Sequence, residues 1–128
     1  MAVFILNYKS GEPIYQQIYN EIIKEISLGI LISEAKLPTV REFASELGIN
    51  PNTVSKAYQL LEQNGYIYSV VGKGSFVADS SVKLAGLKES TINKIKKEIG
   101  EAYSLGIEYD ALLKIIDTVY NGGEKDNA

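Results

Sequence analysis

The sequence of 128 residues contains neither cysteine nor histidine. Without cysteine, the chain has no disulfide, no thiolate nucleophile and no cysteine-ligated zinc. Without histidine, it lacks the usual general base and the commonest metal ligand, which excludes Ser-His-Asp, Cys-His and HExxH sites. The phosphate-binding patterns GxxxxGKS/T and GxGxxG are also missing. We therefore expect no catalytic residue, no metal site and no cofactor, and we do not expect an enzyme.

Positive charge is also scarce. The formal net charge is −3, and Arg41 is the only arginine. Residues 1–79 contain six lysines and arginines against eight aspartates and glutamates. DNA-binding domains are often basic, so this acidity counts against such a function. If the chain binds DNA, its few cations must be placed at the interface, and a dimer would present each of them twice.

Long apolar runs are absent, and none of the shorter ones could span a bilayer. The opening MAVFILNY lacks the basic region, the long apolar region and the small-residue cleavage site of a signal peptide. Hydrophobic residues make up 45% and charged residues 23%, which is ordinary for a globular protein. We expect a cytoplasmic protein of one domain or two small ones, with no membrane partner.

Apolar residues at helical spacing predict a first helix that starts near Pro13 and stops at Gly29. Residues 3–8 before it predict a short strand or an extended arm. The apolar face of this helix is formed by Ile14, Tyr15, Ile18, Tyr19, Ile22, Ile23 and Ile26. We interpret this face as core packing rather than a ligand site.

Two short helices with strong capping signals follow. Thr39 and Glu42 have the spacing of a capping box, and Gly48 is suited to end that helix. Asn50 and Pro51 then provide the N-cap and first position of the next helix. The predicted inner face of the first of these helices is formed by Val40, Phe43, Ala44 and Leu47. That of the second is formed by Val54, Ala57, Tyr58 and Leu61. The short connection forces a steep crossing, as in a helix-turn-helix.

The segments 66–71 and 75–78 have strand composition, and Gly72-Lys73-Gly74 joins them. A hairpin directly after two crossed helices predicts the wing of a winged helix-turn-helix. The expected fold class is mainly α with a small β-hairpin, and residues 1–79 form the DNA-binding domain.

The remainder predicts a polar hinge over Asp79–Lys83, a helix ending near Gly106, and a second helix from about Glu108 to Tyr120. Two such helices are too small to hold a core alone. We therefore expect residues 80–121 to form a helical dimerisation segment, with a flexible tail over residues 122–128. The alternative is that these helices pack back on the N-terminal domain.

The stretch LPTVREFASELGINPNTVSKAYQLLEQNGYIYSVVGKGSFV resembles the DNA-binding domain of the GntR family of bacterial transcription regulators. The segments PIYQQI, NPNTV and KAY look most like its YtrA-type subfamily. The similarity covers residues 10–78, and the short helical C-terminus also fits that subfamily. The resemblance implies a homodimer that binds double-stranded operator DNA and usually represses transcription.

The resemblance also implies which residues contact DNA. The expected set is Arg41, Asn52, Thr53, Ser55, Lys56, Lys73 and Gly74. The start of a recognition helix enters the major groove, where amide, hydroxyl and cationic side chains reach base edges or phosphates. A lysine flanked by glycines can approach the DNA backbone at the tip of a wing.

The chain departs from many relatives in two places. Ser69-Val70-Val71 stands where relatives carry arginines, so the wing contributes less charge, and Ser55 replaces a basic base-reading residue of some members. Ordinary structural roles are the alternatives for the other positions: an ion pair within its own helix for Arg41, a solvated turn for Lys73, and capping alone for Asn52 and Thr53.

The leading hypothesis is a homodimeric repressor of transcription that binds a palindromic operator. The alternative is a protein–protein interaction module on a winged-helix scaffold that does not bind DNA. An unidentified small-molecule effector is a further candidate partner, because the nine tyrosines could line a pocket between the DNA-binding domain and the C-terminal helices.

Overall fold

The computed structural model describes residues 4–122. Within that range the elements are α1 (Ile14–Ser27), α2 (Val40–Leu47), α3 (Pro51–Gln63), β1 (Ile67–Val70), β2 (Gly74–Val77), α4 (Ser81–Ser104) and α5 (Tyr109–Asn121). This order confirms the mainly α fold class with one small hairpin. Two compact units divide between Leu84 and Ala85. None of the described helices is long and apolar enough to cross a membrane.

The first unit is built around α1, α2 and α3. Its core is formed by Ile18, Ile22, Leu31, Leu37, Phe43, Ala44, Val54, Ala57, Tyr58, Leu61, Tyr66, Ile67, Val77 and Leu84. All four residues predicted for the inner face of α3 are buried. Residues 4–13, the described part of the segment before α1, form no strand. The ring of Phe4 packs edge-on against Phe43 with centroids 6.1 Å apart.

The predicted caps of the helix-turn-helix are confirmed. The hydroxyl of Thr39 accepts from the amide of Glu42 at 3.1 Å, and the amide of Thr39 donates to the Glu42 carboxylate at 2.9 Å. Gly48 ends α2 with φ +67°, a left-handed conformation that glycine adopts without a Cβ clash. The side chain of Asn50 accepts from the amide of Asn52 at 2.8 Å, so Asn50 is the cap of α3.

The hairpin is antiparallel and pairs Ile67 with Val77 and Val70 with Gly74. A third extended segment, which the sequence did not reveal, lies along the other edge of β2. The amide of Leu37 donates to the carbonyl of Ser75 at 2.9 Å, and the amide of Val77 donates to that of Ala35 at 2.9 Å. The wing is therefore attached to the chain that leads into α2.

The predicted hinge over Asp79–Lys83 is wrong, because α4 already begins at Ser81. The carboxylate of Asp79 accepts from the amide and the hydroxyl of Ser81 at 3.2 and 2.9 Å. These hydrogen bonds lower the pKa of Asp79. The polar residues start a helix instead of a flexible connection, and Leu84, one turn later, is buried.

The second unit consists of α4 from Ala85 onward and the whole of α5. Gly106, with φ +79°, lies in the short connection between the two helices. Ala102 is the one buried side chain among residues 85–122. Gly122 closes α5 in a left-handed conformation. Apart from Gly122, the predicted flexible tail over residues 122–128 lies outside the described residues.

Candidate nucleic-acid interface

Tyr58 connects α3 to the start of α2. Its hydroxyl donates to the carbonyl of Pro38 at 2.7 Å, and its ring lies edge-on to Phe43. Burial raises the pKa of Tyr58, and the negative charges of Glu42 and Glu46 raise it further. The hydroxyl therefore stays protonated and keeps donating at neutral pH, which fixes α2 and α3 relative to each other.

Arg41 is the second residue of α2, and its side chain is exposed. Within residues 4–122 its guanidinium makes no hydrogen bond and no ion pair. The neighbouring Glu42 is engaged in the cap, and hydrogen bonds from Thr39 lower the pKa of that carboxyl. The expected alternative, an ion pair within α2, is therefore not formed, and the guanidinium points into solvent at the start of the helix.

The polar residues at the start of α3 differ in exposure. Asn52 and Lys56 are exposed, whereas Thr53 and Ser55 are half-buried. The ammonium of Lys56 lies 3.9 Å from the ring centroid of Tyr15 on α1. Such a cation–π contact holds the long side chain of a lysine in one direction without neutralising its charge.

Ser55 lies about 100° around α3 from Lys56 and lines a groove of about 530 Å³ between α3 and the wing. The groove is lined by Val40, Ser55, Tyr58, Gln59, Glu62, Gln63, Ser69 and Ser75. The set predicted from the sequence did not include Gln59 and Gln63. They follow Ser55 by four and eight residues, and this spacing indicates that all three lie on the same face of α3. The groove brings Ser55 together with the start of α2 and the wing strands.

One carboxylate in this groove holds the wing against α3. The hydroxyl of Ser69 donates to Glu62 at 2.6 Å, and its oxygen lies 3.4 Å from the hydroxyl of Ser75 across the hairpin. Hydrogen bonds to charged groups are the stronger kind. Ser69 of the wing thus has its hydrogen-bond partner on α3.

The wing tip presents Lys73. Its side chain is exposed, and its amide donates to the carbonyl of Val70 at 2.9 Å, which closes the turn. Gly74 has φ +119°, and a Cβ at this position would lie 3.1 Å from Cε of Lys36. The backbone conformation therefore favours glycine here, and a Cβ would also press against the end of the Lys36 side chain. Val71, beside the tip, is fully exposed.

A family model for bacterial regulatory proteins of the gntR family matches residues 14–77. The chain belongs to the GntR family. It is 36% identical to the HTH-type transcriptional repressor YtrA of Bacillus subtilis, over 93% of this chain and 95% of that protein. This GntR chain is therefore a DNA-binding transcription regulator and not an enzyme, and its resemblance to the YtrA type is confirmed.

Solved structures agree with this assignment. The chain is 41% identical to a transcriptional antiterminator from Listeria monocytogenes, with a TM-score of 0.67 over 93% of this chain and 90% of that one. It is 34% identical to the DNA-binding domain of AraR in complex with operator ORR3, with a TM-score of 0.50 over 59% of this chain and 95% of that one. The DNA-bound relative shares the winged helix-turn-helix part of this GntR regulator.

No group of three or more acidic residues in the described range could hold a metal ion. The structure instead offers exposed polar and cationic side chains at the start of α2, at the start of α3 and at the wing tip. The residues predicted to contact DNA lie in these three places, and their contacts stay a prediction.

Proposed function

We propose that this GntR regulator is a homodimer that represses transcription by binding a palindromic operator in the cytoplasm. The observation that carries the proposal is the exposed apolar face of the second unit. In this proposal residues 1–79 bind DNA and residues 80–121 form the dimer.

The apolar face lies on both helices of the second unit. Ile95, Ile115 and Ile116 leave 51%, 56% and 50% of their surface exposed. They line a groove of about 330 Å³ together with Thr91, Lys94, Glu98, Ile99 and Leu112. Contiguous apolar surface of this kind marks an interaction site, and a second copy brings the same surface to a twofold axis.

The scarcity of cations also supports a dimer. One protomer offers Arg41 on α2, Lys56 on α3 and Lys73 on the wing, while the net charge of the chain is −3. Neutralising phosphates provides most of the affinity of a protein for DNA. Two protomers double the number of phosphate contacts within one complex.

Each predicted contact has a place in this proposal. Arg41 binds a phosphate next to the major groove, and the start of α3 enters the groove itself. Asn52, Thr53, Ser55 and Lys56 then face base edges and the adjacent phosphates. Lys73 and Gly74 approach the DNA backbone from the wing. The exposure of Arg41, Asn52, Lys56 and Lys73 supports these roles.

Repression is proposed from the similarity to YtrA, a relative that is named a repressor. A twofold dimer reads two half-sites of opposite orientation, so the operator is palindromic. The two recognition helices should then lie about 34 Å apart, or a multiple of that spacing.

Sedimentation velocity tests the dimer. We expect wild-type protein at twice the chain mass of 14.1 kDa. Ile116→Asp places a charge in the apolar groove and should yield a folded monomer. Ile32→Asp is the matched control, since Ile32 is also an exposed isoleucine but lies within residues 1–79, and it should stay dimeric. A monomeric wild type, or an Ile116→Asp variant that remains dimeric, contradicts the proposal.

Footprinting and run-off transcription test the operator and the repression. The probe is a duplex from the region upstream of the protein's own gene. We expect two protected segments related by a twofold axis and less transcript as protein is added. A single asymmetric footprint would argue against the palindrome, and a rise in transcript would argue against repression.

The proposal includes a small-molecule effector of unassigned class. Tyr58 and Tyr66 are buried in the core of the first unit, while Tyr103, Tyr109 and Tyr120 of the second unit are exposed. Thermal shift against a metabolite panel is the test. A compound that raises Tm and lowers affinity for the duplex supports an effector, and a panel with no such compound counts against it.

A further inference from the structure

Lys36 lies beside the wing although it precedes α2 in the sequence. It forms an antiparallel bridge with Phe76, in the middle of β2. The hydrogen bonds of Leu37 and Ala35 to β2 fix the backbone on both sides of it. The position of this lysine is therefore set by sheet pairing rather than by a mobile loop.

The side chain of Lys36 lies across Gly74 at the wing tip. Its Cε is 3.1 Å and its Nζ 3.9 Å from the point where a Cβ on Gly74 would be. The apolar stem is thus supported by the glycine, while the residue as a whole is exposed. Within residues 4–122 the ammonium forms no hydrogen bond and no ion pair.

The same ammonium also lies close to the start of α2. Hydrogen bonds from Thr39 lower the pKa of Glu42, and the positive charge of Lys36 lowers it further. Lys36 therefore lies beside the wing tip that carries Lys73, and its charge acts on Glu42 at the start of α2.

We propose that Lys36 is a further phosphate-binding residue that acts together with Arg41 and Lys73. This inference rests on the proposed DNA-binding surface and adds a fourth cation to each protomer. A lysine binds phosphate as a point charge at the end of a flexible stem, and packing the stem on Gly74 restricts that flexibility. Glycine at position 74 leaves room for this stem, because a Cβ there would lie 3.1 Å from Cε of Lys36.

The experiment compares full-length variants by fluorescence anisotropy between about 50 and 200 mM KCl. The probes are a duplex from upstream of the protein's own gene and an unrelated duplex of equal length. Lys36→Met keeps the apolar stem on Gly74 and removes the charge, whereas Lys36→Arg keeps the charge. Lys24→Met is the matched control, since Lys24 is an exposed lysine in the last turn of α1.

We expect Lys36→Met to weaken binding to both duplexes by about tenfold and to reduce the slope of log K against log salt by about 1.8 for a dimer. Lys36→Arg and Lys24→Met should keep the wild-type slope. If Lys36→Met binds like the wild type while Arg41→Ala weakens binding, the inference about Lys36 is overturned and the proposed surface stands. If the wild type binds neither duplex at low salt, both are overturned.

Discussion

Tyr58→Phe removes a single oxygen atom from the junction of α2 and α3. The hydroxyl is the donor in a 2.7 Å hydrogen bond to the carbonyl of Pro38, and the residue is only 6% exposed. The ring of phenylalanine fills the same space against Phe43, so the substitution leaves no cavity. The measured effect therefore isolates the hydrogen bond.

The expected loss of stability depends on the carbonyl of Pro38, which is left without its donor. A buried acceptor without its donor costs about 1–3 kcal/mol. Because Pro38 is only half-buried, water can reach its carbonyl in part, and we expect the lower half of that range. Tyr68→Phe is the control: its hydroxyl donates to Glu34 at 2.6 Å, but Glu34 is exposed and water replaces the lost donor. We expect that control to cost less than about 0.5 kcal/mol.

The same residue predicts a response to alkaline pH. Burial raises the pKa of Tyr58 above its ordinary value of 10.0, so the folded state holds this proton more tightly than the unfolded chain. The resulting contribution to stability is complete below pH 10 and is lost as the pH rises from there toward the folded pKa. Tyr58→Phe lacks the hydroxyl and therefore lacks this contribution. The difference in free energy of unfolding between the wild type and the variant should consequently narrow above pH 10.

Urea unfolding followed by circular dichroism measures these differences. Both variants and the wild type are compared at one protein concentration, because dimer formation makes stability concentration-dependent. The reasoning is refuted if Tyr58→Phe is as stable as the wild type at neutral pH, or if Tyr68→Phe lowers the free energy of unfolding more than Tyr58→Phe does. It is also refuted if the difference in free energy of unfolding between the wild type and Tyr58→Phe widens above pH 10.

Three further predictions concern the helices of the first unit. Thr39→Ala removes the side-chain half of the capping box and should cost about 1 kcal/mol in urea unfolding. The folded pKa of Glu42 is lowered from 4.5, so the stability from this cap is complete above that pH and is lost as the pH falls below it. Thr39→Ala should reduce this loss without abolishing it, because the backbone amide of residue 39 still donates to the Glu42 carboxylate. Leu61→Ala empties a site that is 0% exposed and should cost about 3–5 kcal/mol, which a fall in Tm would record. Arg41→Ala should leave Tm unchanged and weaken DNA binding by about tenfold in anisotropy, and a changed Tm with unchanged affinity would assign this arginine a structural role.

Local interactions made much of the fold predictable. The capping box of Thr39 and Glu42, the left-handed Gly48 and the cap at Asn50 depend on residues within three positions of each other, so spacing alone indicates them. The inner face of α3 follows from helical periodicity in the same way. The hinge over Asp79–Lys83 was predicted wrongly because the polar residues that begin a helix are the same types that form linkers.

Contacts between distant segments could not be predicted. Lys36 meets Gly74, and Lys56 meets Tyr15, through sheet pairing and helix packing that no local pattern encodes. The DNA-facing set named from the family motif therefore omitted Lys36. It also named Ser55 and Lys56 together, whereas Ser55 lines the groove beside the wing and Lys56 packs on Tyr15 of α1.

The most direct test of the central claim, a dimer that binds DNA through few but well-placed cations, is the salt dependence of wild-type binding to the duplex from upstream of its own gene. With Lys36, Arg41, Lys56 and Lys73 as the proposed phosphate contacts of each protomer, a dimer would make eight such contacts. We predict a slope of log K against log salt of about −7, twice the value of about −3.6 that a monomer would give. A slope no steeper than the monomer value, or no binding at low salt, would contradict the claim.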